Sequence, residues 1–130
     1  SQIHFFIPDN AYKVADEAKM DAFNSYFGGD MSSLMFQEIR EFRSLAYSTR
    51  GTYNKPRFAT GNGFFAGYIG CQGDKTMESI ETLHGMLSNM PQKADRMNAI
   101  QKGLIARLAS EKPDFRMMSR QIQGWKKFGY

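Results

Sequence analysis

Apolar positions change their period several times along the chain, and each change marks a new element. Ile3–Ile7 is a largely apolar run rich in β-formers that stops at Pro8-Asp9-Asn10, so it predicts a short strand buried on both faces. Ala15, Ala18, Ala22, Phe23, Tyr26 and Phe27 then recur at three- and four-residue steps, predicting a helix from about Lys13 to Phe27. Gly28-Gly29 ends it, with a glycine expected in the left-handed conformation of a helix C-terminus. Asp30 or Ser32 can cap the next helix, whose stripe is Met31, Leu34, Met35, Ile39 and Phe42. From Leu45 the spacing becomes that of a strand: Tyr47, Thr49, Gly51 and Tyr53 alternate with Ala46, Ser48, Arg50 and Thr52.

Asn54 to Asn62 holds Pro56 and Gly61 and reads as a loop, after which Gly63 to Cys71 forms a second strand and completes an antiparallel hairpin. Gly63, Gly67 and Gly70 weaken that strand and point to close backbone approach or a bulge. Three helices follow. Met77, Ile80, Leu83, Leu87 and Met90 mark one opened by Asp74 or Thr76 and stopped by Pro91. Met97, Ile100, Leu104 and Leu108 mark another from about Lys93 to Ser110, and Phe115, Met118, Ile122 and Trp125 a last one after Pro113. The order β-α-α-β-β-α-α-α is α+β, a small and mostly antiparallel sheet covered by helices.

A length of 130 residues suits a single domain with one core, and 42% hydrophobic against 23% charged residues is globular composition. No apolar run approaches the roughly 18 residues a membrane span needs, so no membrane partner is expected. The chain opens on Ser1 and runs almost at once into a strand, which suggests a piece of a longer polypeptide and leaves the compartment open. Charge is uneven: residues 1–90 carry eight Lys/Arg against ten Asp/Glu, residues 91–130 nine against three. The basic residues are scattered, which favours solvated helix faces over a nucleic-acid partner. A contiguous basic face with stacking aromatics would be needed for the latter.

The chemistry on offer is narrow. A hydrolytic zinc site needs about three protein ligands, and His4 and His84 are the only histidines, in different elements. Cys71 is the only cysteine and lies in an apolar run, where a buried inert thiol is expected. No metal or other cofactor is expected to bind this chain. Ser32 and Ser33 read as helix-start residues, and Gly28-Gly29-Asp30 lacks the lysine and spacing of a phosphate loop. Arg40 and Tyr47 stand out, because one lies late in a helix and the other early in the following strand, so both can project toward one sheet edge. A guanidinium with five fixed donors and a phenol with one movable donor suit a peptide carbonyl or carboxylate. An arginine paired with a neighbouring acid and a tyrosine packed by its ring would look the same from spacing alone.

The stretch FNSYFGGDMSSLMFQEIREFRSLAYS resembles the hallmark segment in the C-terminal half of the pitrilysin/insulinase family of zinc metallopeptidases, which includes the mitochondrial processing peptidase. Its parts stand here at Gly28-Gly29, Met31-Ser32-Ser33, Gln37-Glu38-Ile39-Arg40-Glu41 and Leu45-Ala46-Tyr47-Ser48. Gly70-Cys71-Gln72-Gly73-Asp74-Lys75 resembles the strand-to-helix junction of the same family. The resemblance implies two related α+β halves closing as a clamshell around a polypeptide substrate. The zinc motif lies in the N-terminal half, and the half resembled here carries no metal. It further implies that Arg40 and Tyr47 reach across to the substrate, with Tyr47 on the scissile carbonyl oxygen and Arg40 on nearby backbone. No zinc motif is present, so this chain is expected to cleave nothing by itself. A purely structural member of the same fold, as in respiratory-complex core proteins, is the rival reading.

Overall fold

In the computed structural model, which describes residues 1–130, three strands form one antiparallel sheet ordered β1-β3-β2. The strands are β1 (Gln2–Ala11), β2 (Ala46–Asn54) and β3 (Asn62–Cys71). Between β1 and β2 lie a 3-10 turn (Val14–Asp16), helix α1 (Glu17–Phe27) and a π-helix (Phe36–Glu41). After β3 come α2 (Thr76–Ser88), α3 (Ala94–Ser110) and α4 (Met118–Phe128). The α+β class and the element order are those expected from the sequence.

Side chains on β3 alternate between the two sheet faces, as strand geometry requires. Phe65 and Ile69 point into the core with Phe27, Leu34, Met35, Ile39, Leu45, Leu83 and Met86 from the helices and the strand entry. Phe64 and Tyr68 point to the opposite, open face, where Phe6 and His4 from β1 meet their rings at 5.1 Å in each case. The helices therefore cover one face only.

Several local readings are corrected. β1 is not buried on both faces: it runs to Ala11 at the edge of the sheet, and Phe6 is 67% exposed. An edge strand tolerates Pro8, and the turn-like Pro8-Asp9-Asn10 appears as an irregularity in the ladder between Pro8 and Ala11. Gly28 is not left-handed, with φ −150°. What requires a glycine there is space: a Cβ on Gly28 would lie 2.7 Å from both the nitrogen and the Cα of Gly51. At the next helix Ser33 takes the expected place of Asp30 or Ser32, its Oγ accepting from the Phe36 amide at 3.4 Å. Asp30 instead shapes the turn by accepting from the Ser32 amide at 2.8 Å.

The helix itself is the largest surprise. Phe42 donates its amide to the Gln37 carbonyl, five residues back, at 2.8 Å. A π-helix winds more widely than the α-helix that a 3.6-residue stripe assumes. Leu34, Met35 and Ile39 remain buried, while Met31 and Phe42 are exposed. The stripe on α3 reaches the core through Ile100, which packs half-buried against it, while no residue is fully buried on that helix. Its Met97 and Leu104 face Ala15, Ala18 and Ala22 across an open groove of about 790 Å³.

Candidate functional site

The site is built where the π-helix hands over to β2. Ser44 has φ 50°, a left-handed backbone uncommon for a residue with a side chain. Its amide bonds to the Arg40 carbonyl at 3.1 Å and the next amide, of Leu45, to the Ile39 carbonyl at 2.9 Å. These two bonds close the helix and turn the chain sharply into the strand. Leu45 and Ala46 then enter the core, and Tyr47 emerges at the sheet edge.

Arg40 and Tyr47 consequently line one shallow depression of about 380 Å³, together with Glu41, Ser44, Gln72 and Lys75. Tyr47 is 61% exposed. The Arg40 guanidinium lies over the Phe36 ring, 4.7 Å from its centroid, where the ring quadrupole attracts the cation. Its nearest carboxylate is Glu41, at 3.8 Å from Nε, too long for a hydrogen bond. The arginine is thus steered by an aromatic face while its fork of donors stays uncommitted. Lys75, on the same rim, pairs with Glu78 at 3.3 Å.

What fixes the far end of β2 and the entry to α3 lies in residues that carry no chemical signature. Asn24 on α1 grips the Tyr53 backbone twice, donating from Nδ2 to its carbonyl at 3.0 Å and accepting its amide at 2.6 Å. Tyr26 donates its hydroxyl to the Pro91 carbonyl and accepts from the Lys93 amide at 2.9 Å, pinning the entry to α3. Their spacing on α1 gave no cue, because both partners are distant in sequence.

The other candidates fall elsewhere. His4 lies on the open sheet face against Tyr68, and His84 is exposed on α2. Cys71 is buried. No three His, Cys, Asp or Glu side chains come together as a metal-holding group, so the residues of this chain do not fit a zinc ion. Of the basic C-terminal residues, Lys93 and Arg107 pair with Glu38 and Asp21 in the acidic part of the chain, at 3.2 and 3.7 Å. No helix is long and apolar enough to cross a membrane.

The antiparallel sheet, covered on one face by helices, thus has a depression at one edge that Arg40 and Tyr47 share. Comparison with known proteins identifies the family. Residues 2–104 match the family described as peptidase M16 inactive domain, and the chain belongs to that family. A zinc protease of Streptomyces coelicolor, itself described as uncharacterized, is 33% identical over 91 residues, covering 68% of this chain. A crystal structure of a peptidase M16 inactive domain from Pseudomonas fluorescens superposes with a TM-score of 0.72 over 98% of this chain, at 15% identity. The chain spans 19% of the Streptomyces protein and 31% of the Pseudomonas one.

Proposed function

We propose that this domain is the metal-free half of a longer zinc metalloendopeptidase. It closes a substrate chamber against a zinc-bearing half, in the same polypeptide or a partner subunit, and binds the peptide through Arg40 and Tyr47. The observation that carries this reading is their shared depression at the edge of β2, where neither the guanidinium fork nor the exposed phenol is consumed by a strong internal partner. Tyr47 donates its phenolic proton in a hydrogen bond to the carbonyl oxygen of the peptide bond being cleaved. That bond strengthens as negative charge develops on the oxygen, and such a donor contributes about 2.7–4 kcal/mol to the transition state. Arg40 holds a flanking backbone carbonyl or carboxylate with its planar donors. Zinc belongs to the other half, as nothing in this chain fits it.

Arg40→Lys in the assembled peptidase tests the assignment, since an ammonium keeps the charge and loses the fork. A hydrogen bond to a charged group is worth about 1.5–3 kcal/mol, so kcat/KM should fall by roughly 10- to 100-fold. A domain that serves only as a scaffold would leave kcat/KM unchanged in this variant.

A further inference from the structure

We infer that Gly70 is a positioning residue for Tyr47: its bare backbone is the floor on which the hydroxyl-bearing end of the Tyr47 ring rests. The inference builds on the role given to Tyr47 above. Three observations converge on this spot. The ladder between β2 and β3 slips at Tyr47, because Ala46 pairs with Cys71 and Ser48 with Gly70, so Tyr47 is the extra residue of a bulge. A bulge bends its strand and re-aims a side chain, and here it turns Tyr47 outward beside the Ser48–Gly70 pair. Second, a Cβ placed on Gly70 would lie 2.7 Å from Tyr47 Cε2 and 2.9 Å from Tyr47 Cζ, the carbon that carries the hydroxyl. Third, the same point is 2.9 Å from the Tyr68 hydroxyl, so the ring has a wall beside it as well as a floor. Tyr68 is in turn backed by His4, whose ring centroid is 5.1 Å away.

The only residue of the chain with φ in the left-handed region besides Ser44 is Gly129. Backbone conformation therefore does not demand a glycine at position 70; the Tyr47 ring, with the Tyr68 hydroxyl beside it, does. A methyl group there would lift the phenol by the better part of an ångström to restore ordinary contact. Donor placement is that critical in a transition state: a shift of about 1 Å can cost on the order of 100-fold in rate. Tyr47, although exposed, is thus set by the strand that carries it and by the strand beside it.

The test uses the assembled peptidase with four proteins: wild type, Gly70→Ala, Tyr47→Phe and the double variant. Gly70→Ala should lower kcat by roughly 10- to 100-fold with KM changed less than about threefold. In the Tyr47→Phe background the added Gly70→Ala should cost almost nothing more, because the donor it misplaces is already gone. If Tyr47→Phe lowers kcat and Gly70→Ala does not, the positioning role is overturned while the role of Tyr47 stands. Equal losses from Gly70→Ala in both backgrounds overturn it too, as a merely structural effect. If neither single change matters, the role of Tyr47 itself falls. Should Gly70→Ala fail to fold, the three-bond χ1 couplings of Tyr47 in the otherwise unaltered protein decide by NMR. A ring held on its seat gives the couplings of one staggered rotamer, and values averaged over several rotamers, which would swing the hydroxyl away, overturn the proposal.

Discussion

The Gly51 amide donates to the Gly28 carbonyl at 3.2 Å, tying the end of α1 to the outer edge of β2. This bond brings two backbones close together, and neither residue has room for a side chain. On the Gly28 side the obstacle is Gly51 backbone, and on the Gly51 side it is the Met35 sulfur and the Phe65 ring. Because backbone cannot yield as a flexible side chain does, Gly28→Ala should destabilise the domain by about 2–3 kcal/mol, the upper part of the usual overpacking range. Gly85, inside α2 with nothing within 4 Å of a Cβ, is the control. Gly85→Ala should stabilise by about 0.8–1 kcal/mol through helix propensity alone. Urea unfolding of both variants gives the two signs.

Ser44 offers a change in the opposite direction at the site itself. A left-handed backbone costs a residue with a Cβ about 1–2 kcal/mol, while glycine's extra freedom in the unfolded chain takes back about 0.5–1 kcal/mol. Ser44→Gly should therefore raise stability slightly, by less than about 1.5 kcal/mol. A drop in the unfolding midpoint would mean that the serine is held there by a contact more valuable than the strain it bears.

Alkaline pH should act through Tyr53. Burial of its phenol, then its hydrogen bond to the Asp9 carboxylate at 2.8 Å, push its pKa up from 10.0 to about 12. The folded state thus prefers the protonated phenol more than the unfolded chain does. This contribution to stability is complete below pH 10 and disappears as pH rises from about 10 to about 12. Unfolding free energy measured across that window should fall more steeply for the natural protein than for Tyr53→Phe. Parallel slopes would sever the link to this residue.

Much of this structure is legible in the pattern of residues, and the illegible parts share a cause. The hairpin of β2 and β3 shows itself because one face is buried and one open, so alternation reports it. Helices α2 and α3 show themselves because their period is that of a regular helix, and Pro91 separates them. β1 misleads, since a run of Ile and Phe reads as doubly buried while its real partner on one side is solvent. The π-helix cannot be counted with a step of 3.6, which is why Phe42 falls on the predicted apolar stripe yet is exposed. Arg40 and Tyr47 stand out in the sequence because they carry donors. Gly70 and Asn24 matter through what lies against them in space, and only Gly70 left a trace, as one of three glycines weakening β3.

The role proposed for Tyr47 is a hydrogen bond made in the transition state, and Tyr47→Phe removes that donor alone. The substitution removes one oxygen from a ring that is 61% exposed, so thermal unfolding should be unchanged within about 0.5 kcal/mol. In the assembled peptidase, single-turnover cleavage of a peptide should slow by about 100-fold or more, as loss of an oxyanion donor does. An unchanged cleavage rate, or a loss of stability by about 1 kcal/mol with the rate intact, would contradict the account and make Tyr47 a structural residue.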